Sequence, residues 1–425
     1  MPDTLKLSPA LGVLWAFLKL GMSSFGGPVA HIGYFREEFV VRRHWLEDSA
    51  FSDLVALCQF LPGPASSQVG FAIGLMRAGY WGALAAWIGF TLPSAAALVL
   101  FADGVSALRG PISVGLVHGL KLVAVAIVAQ AVWGMARTLC PDRQRASIGG
   151  VAALIMLLGA PWIPQIAAII VGAVAGLWFC RNPASAPKAG AAAPMATTAA
   201  PMATTAIPVA TAAAPMAAIA VPVSRRAGLV SLAMFVLFAV GPLLLRGLEL
   251  PPAVTLFDAF YRSGALVFGG GHVVLPLLRD AFVSPGWVSD DAFLAGYGAA
   301  QAVPGPLFTF AAYLGAVVSL SPHGLAGAML GLIAIFLPGL LILIAALPFW
   351  HTLRTRAAAQ ASMRGVNAAV VGLLGAALYN PVWTSSVKTP SDIAVALVGF
   401  VLLTIWRAPP LLVVIMGALA GIGLV

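Results

Sequence analysis

The chain has 425 residues, of which 61% are hydrophobic and 9% charged, and it carries a formal net charge of +9. Roughly a quarter of the residues in a soluble globular domain are charged, so this composition excludes a soluble enzyme and defines an all-α polytopic, multi-pass protein whose main partner is the lipid bilayer. The basic residues are scattered and form no stripe. That argues against nucleic acid and for cytoplasmic loop bias and attraction to anions.

The first apolar run, 9–32, carries Lys19 upstream of Phe25-Gly26-Gly27-Pro28. A lysine in an apolar helix marks a pathway, a paired charge or a side chain snorkelling to the interface, and the Gly-Gly-Pro should bend or end the helix. A charged loop follows, Arg36 to Trp45, with Glu47 and Asp48 as helix-start acids.

The next apolar run, 51–76, contains Gln59-Phe-Leu-Pro62-Gly63-Pro64-Ala-Ser66-Ser67-Gln68. Two prolines around a glycine remove backbone donors and break the helix. Inside a bilayer such a break is tolerated only where protein or a polar cavity supplies partners. Pro64 is placed to start a half-helix whose first N–H groups, with the hydroxyls of Ser66 and Ser67, suit an anion. Further runs follow at 80–102, 114–136, 147–159 and 163–179.

From 182 to 227 the character changes. Ala193-Pro-Met-Ala-Thr-Thr-Ala199 is repeated at 200–206, and a flexible linker is expected. A linking transmembrane helix is expected at 228–250.

The second half then repeats the first. Phe17 to Gly27 aligns without gaps on Phe260 to Gly270, matching the phenylalanine, a cation (Lys19 on Arg262), a glycine and Phe-Gly-Gly. Gln59 falls on Gln301, Pro62-Gly-Pro64 on Pro304-Gly305-Pro306, Leu92-Pro93 on Leu337-Pro338, and Gly119 on Gly365. Two homologous helical repeats, 1–181 and 251–425, are therefore expected, with about 12–13 transmembrane segments and proline-broken helices. Arg42 and Arg43 give way to Ser284-Pro285-Gly286 in the second copy, while the loop near Arg109 corresponds to one with Arg354 and Arg356. That reversal of charge points to inverted repeats.

With both Phe-Gly-Gly segments and both Pro-Gly-Pro breaks in view, the chain resembles the chromate ion transporter family in its long, two-domain form. The resemblance implies efflux of chromate across the cell inner membrane and chromate resistance, with sulfate and other tetrahedral oxyanions, or a channel in place of a carrier, as alternatives. It implies no catalytic activity, cofactor or metal, and it allows a homodimer.

A dianion in the bilayer needs compensating charge or many N–H and O–H donors. Lys19 and Arg262 are candidates for the charge. Ser23, Gly26, Gly27, Gln59, Pro62, Gly63, Pro64, Ser66 and Ser67 in the first copy, and Gly269, Gly270, Gln301, Pro304, Gly305, Pro306 and Thr309 in the second, are candidates for the surrounding site. Ser66 and Ser67 have no matching polar pair in the second copy, where Phe308-Thr309 stands. His31 and His272 do not align and read as interfacial histidines. No phosphate-binding loop is present, so an ion gradient is the expected energy source, through an antiport or proton-coupled cycle. Asp53, Glu37 and Glu38 are the candidate proton carriers.

Cysteines introduced at Val40 and Val283 are expected to react with a membrane-impermeant maleimide from opposite sides. Labelling from one side contradicts the inversion.

Overall fold

The computed structural model describes residues 8–107, 111–159, 164–181, 223–244, 250–350, 352 and 356–424. The linker expected at 182–227 lies almost wholly outside them. The described residues form helices and no strands. In the first repeat these are α1 (Pro9–Ser23), α2 (Gly27–Arg36), α3 (Asp48–Phe60), α4 (Ala65–Ala107), α5 (Pro111–Leu139), α6 (Arg143–Leu158) and α7 (Pro164–Phe179). After α8 (Arg225–Leu244), the second repeat contains α9 (Pro252–Ala265), α10 (Val274–Phe282), α11 (Asp290–Ala300), α12 (Phe310–Val317), α13 (Gly324–Ala346), α14 (Ala357–Ala377), α15 (Pro390–Thr404) and α16 (Pro410–Leu424).

Among the described residues, five helical stretches are long and apolar enough to cross a membrane, and five shorter apolar helices accompany them. These ten stand against the 12 or 13 segments expected, and half of them are shorter arms. At 1.5 Å per residue α3 reaches only about 20 Å, short of a hydrocarbon core of about 30 Å.

The short arms fold back on themselves. Phe17 on α1 packs its ring against Phe35 and Phe39, with centroids 5.5 and 4.8 Å away, so α1 and α2 form an antiparallel hairpin with Phe25-Gly26 at its tip. In the second copy Phe260 meets Phe282 at 4.4 Å. The second Pro-Gly-Pro break is also a hairpin tip: Phe310 packs on Phe293 and Tyr297, and the Tyr313 hydroxyl donates to the Ala292 carbonyl at 2.9 Å. Within α4 the backbone leaves helical geometry at Ala78 and Gly79. A Cβ on Gly74 or Gly82 would strike the facing arm, so residues 65–77 and 80–107 run side by side in opposite directions.

The repeats interlock at their far ends. A Cβ on Gly119 of α5 would fall on the carbonyl of Gly417 in α16, and one on Gly421 would fall on the carbonyl of Gly115. On the other side, a Cβ on Gly365 of α14 would fall on the carbonyl of Gly172 in α7, and one on Gly176 on that of Ala361. Each repeat therefore clasps the terminal helices of its neighbour through small residues four apart, the spacing that lets apolar helices approach to backbone contact. The residue order in both contacts is antiparallel. Within a repeat α6 returns the chain between α5 and α7, so α5 and α7 point the same way, and α14 must oppose α5. The two repeats are inverted, related by a pseudo-two-fold axis across the helix direction.

Gly365→Ala is expected to lower the thermal unfolding midpoint in detergent by the equivalent of about 1–3 kcal/mol, the usual cost of overpacking. Gly375→Ala, with nothing within 4 Å of the new methyl, should leave the midpoint unchanged or raise it. Equal midpoints for the two variants contradict this packing.

Candidate functional site

Four hairpin tips converge between the repeats. The N–H of Gly63 donates to the carbonyl of Val267 at 2.8 Å, and the N–H of Gly305 donates to the carbonyl of Ser24 at 2.9 Å. Ser24 and Val267 are equivalent positions, as are Gly63 and Gly305. Each Pro-Gly-Pro tip thus bonds to the Phe-Gly-Gly tip of the other repeat. The backbone shapes match as well: φ is 98° at Gly26 and 73° at Gly269, 116° at Gly63 and 100° at Gly305. These left-handed values favour glycine and explain its recurrence in both copies.

Two helices with an internal proline brace the tips. A Cβ on Gly63 would lie 2.8 Å from the Cα of Gly339, next to Pro338 on α13. A Cβ on Gly305 would lie 2.9 Å from the Oγ of Ser94, next to Pro93 on α4. On the α13 side Gln68 acts as a staple, its Nε2 donating to the Pro62 carbonyl at 2.9 Å and to the Gly339 carbonyl at 2.8 Å. One amide therefore bonds a carbonyl at the break and a carbonyl beside Pro338 of the opposite repeat.

The first-repeat tips also hold His31, which is fully buried. Its Nε2 lies 3.2 Å from the Ser24 carbonyl and its Nδ1 lies 3.3 Å from the Ser66 hydroxyl, while its ring stands edge-on to Phe90 at 5.2 Å. His272 binds the Tyr297 hydroxyl at 2.8 Å. Around these tips several buried polar atoms have no hydrogen-bond partner: the hydroxyls of Ser24 and Ser67, Oε1 of Gln68, Nε2 of Gln301 and Oδ1 of Asn367. A Cβ on Gly269 would come within 3.3 Å of that Asn367 oxygen. Buried hydroxyl and amide groups are otherwise almost always bonded, and those gathered here suit a polar ligand.

The expected site residues divide sharply. Gly26, Gly27, Pro62, Gly63, Pro64, Ser66 and Ser67 meet Gly269, Gly270, Pro304, Gly305 and Pro306 at the tips. Gln301 caps α11 beside the second break. Thr309 is buried, but its hydroxyl is turned back onto the Pro306 carbonyl at 2.7 Å. Gln59 is exposed, and so is Lys19, which shares the outward face of α1 with Trp15 and Met22. Ser23 bonds the Lys19 carbonyl. Arg262 is bound to Asp258 at 2.7 Å, one turn away on the same helix. Neither expected cation is a bare charge aimed at the tips.

Of the three candidate proton carriers, Glu37 is exposed and the other two are engaged elsewhere. Glu38 receives Arg42 and Arg43 at 2.6 and 2.7 Å, and Asp53 has a partner of its own. Asp48 takes Arg36 at 2.6 Å, repeated in the second copy by Asp290 and Arg279 at 3.0 Å. Among the described residues, no group of His, Cys, Asp or Glu is arranged to hold a metal ion.

Sequence reasoning missed Ser24, Ser94 and Asn367, and it noted Gln68 only as part of the polar Ser66-Ser67-Gln68 run. Ser24 falls on Val267 and Ser94 on Gly339, so a search for residues kept in both copies passes over them. Lys121, the counterpart of Asn367, is tied to Asp291 at 2.7 Å.

Helical repeats whose broken helices meet around partnerless polar groups are the pattern of a membrane transporter. The profile of the chromate transporter family matches residues 11–177 and 254–422, and the chain belongs to that family. It is 28% identical to the chromate transport protein of Pseudomonas aeruginosa, over 92% of this chain and 86% of that one. It is 26% identical to the chromate transport protein of Cupriavidus metallidurans, over 96% and 91%, and 24% identical to a probable chromate transport protein of Synechococcus elongatus, over 96% and 93%. No solved structure matches the chain.

Gln68→Leu strips both carbonyls of their donor. It is expected to destabilise the protein by about 1–3 kcal/mol, the cost of leaving buried acceptors unmade, read as a drop in thermal unfolding midpoint. An unchanged midpoint removes Gln68 from this role.

Proposed function

We propose that this protein exports chromate from the cytoplasm across the inner membrane, as a secondary transporter driven by an ion gradient, and so confers resistance to chromate. The single observation that carries the reading is the crossed pair of backbone hydrogen bonds, Gly63 to Val267 and Gly305 to Ser24. They hold a half-helix start from each repeat against the other repeat's turn, with partnerless hydroxyl and amide groups beside them. A tetrahedral oxyanion offers many acceptor lone pairs, and helix-start N–H groups with serine hydroxyls are their natural complement. Arg262 is neutralised by Asp258, so these donors are mostly uncharged.

Alternating access follows from the inverted symmetry. The state in which one repeat's tips are tightly held has a mirror state in which the other's are, and rocking one repeat against the other exchanges them. The relatives' printed names support chromate as the substrate, while the geometry serves sulfate equally well.

Purified protein in proteoliposomes loaded with unlabelled chromate is expected to accumulate radiolabelled chromate by counterflow. Sulfate should compete to the extent that the site reads shape alone. Uptake without counterflow identifies a channel and overturns the carrier reading.

A further inference from the structure

The hydroxyls and amides at the tips are neutral, and a dianion brought into the bilayer needs a compensating charge. Among the described residues a single lysine or arginine is buried, Lys121 on α5. It stands inside the apolar stretch Ser113–Leu139, one of the five long enough to cross a membrane. An ammonium at such a place is costly and marks a pathway or a paired charge. Its partner is Asp291 at the start of α11, 2.7 Å away, but the two side chains differ sharply: 11% of the lysine is exposed and 69% of the aspartate. Water competes for a carboxylate that open, so the pair repays little of the cost of burying the ammonium.

Lys121 is rooted nearer to the tips than its partner is. A Cβ on Gly298 would lie 2.6 Å from the carbonyl of Leu120, so α5 touches α11 one turn before Gln301, which caps α11 beside the second break. Asp291 lies two turns further back, about 10 Å along the helix. Lys121 therefore stretches away from the break to meet Asp291, and its flexible stem can equally turn the other way. The matching position in the other repeat shows what lies within reach. Asn367 of α14 aligns with Lys121, and its partnerless Oδ1 stands against the second Phe-Gly-Gly tip, where a Cβ on Gly269 would come within 3.3 Å of it. The other cations of the arms offer no such reserve. Arg262 is bound to Asp258, Arg36 to Asp48 and Arg279 to Asp290, and Lys19 is exposed.

We infer that Lys121 is the cation of the transport site: its ammonium turns to the oxyanion at the tips during transport and pairs with Asp291 between substrates. The inference rests on the reading of the chain as an oxyanion transporter and names the residue that supplies the charge there. Asp291 and the oxyanion compete for one ammonium, so the carboxylate weakens binding and speeds release. With the repeats inverted, the start of α11 lies on the face opposite Arg42 and Arg43, whose loop charge marks the cytoplasm. The ammonium then returns to Asp291 on the side to which export delivers the oxyanion.

Lys121→Gln and Asp291→Asn break the same ion pair, and their comparison tests the inference. A pair that only holds α5 to α11 predicts that the two variants change chromate affinity in the same direction or leave it unchanged. A shared cation predicts opposite effects. With the full-length protein in proteoliposomes, the half-saturating concentration of radiolabelled chromate is expected to rise about tenfold or more in Lys121→Gln, the worth of a lost charge-assisted hydrogen bond. In Asp291→Asn it is expected to fall severalfold, with a slower maximal exchange rate.

Unchanged affinity in folded Lys121→Gln, or unchanged or weaker affinity in Asp291→Asn, overturns the inference, and the transport reading stands on the wild-type uptake. Where Lys121→Gln does not fold, Asp291→Asn decides alone, since a purely structural pair gives no reason for its removal to tighten binding. No chromate movement by folded wild-type protein overturns the transport reading itself.

Discussion

Everything else in this protein is arranged around two backbone hydrogen bonds that cross between its halves. A break in a membrane helix leaves N–H and C=O groups that lipid cannot satisfy, at several kcal/mol each if they stay bare. Here the N–H of Gly63 and the N–H of Gly305 are satisfied by the opposite repeat. Neither break is tolerable in its own repeat alone, so the breaks, the inversion and the site come as one package. The glycines follow from the same constraint, because a side chain at either position would collide with the proline-containing helix behind it.

The same logic acts at the periphery through shape. Transmembrane helices gain little from apolar burial against one another, since lipid is as apolar as leucine. What remains is dispersion and close approach, and the glycine-to-carbonyl contacts of α5 with α16 and of α14 with α7 supply both. The glycines in these contacts are thus the means by which the helices come near enough to attract, while nine other described glycines adopt a positive φ.

Much of the fold was legible in the sequence because gap-free repetition is a strong signal. The Phe-Gly-Gly and Pro-Gly-Pro segments, their pairing across the halves and the sense of the inversion could be read from residue order and loop charge. The hairpin form of the arms could not, since a 13-residue helix ending in a proline break looks the same whether the chain goes on or turns back. The site was half legible. Backbone elements such as Gly63 and Gly305 repeat and were found. Ser24, Gln68 and His31 do not repeat, and a method that trusts repetition undervalues the positions where the copies diverge. Lys19 and Arg262 show the opposite: they do repeat, yet their surroundings differ, since Arg262 has a partner, Asp258, one turn earlier, while the first copy has Trp15 at that place.

The exchange of terminal helices between the halves changes what the chain's connectivity means. α14 rests in the arms of α6 and α7, and α5 in those of α15 and α16, so each half completes the other as two subunits of an obligate dimer do. Its covalent join, between residue 181 and α8, supplies proximity and equal stoichiometry. Among the described residues, the arrangement is that of two complementary halves written as one polypeptide.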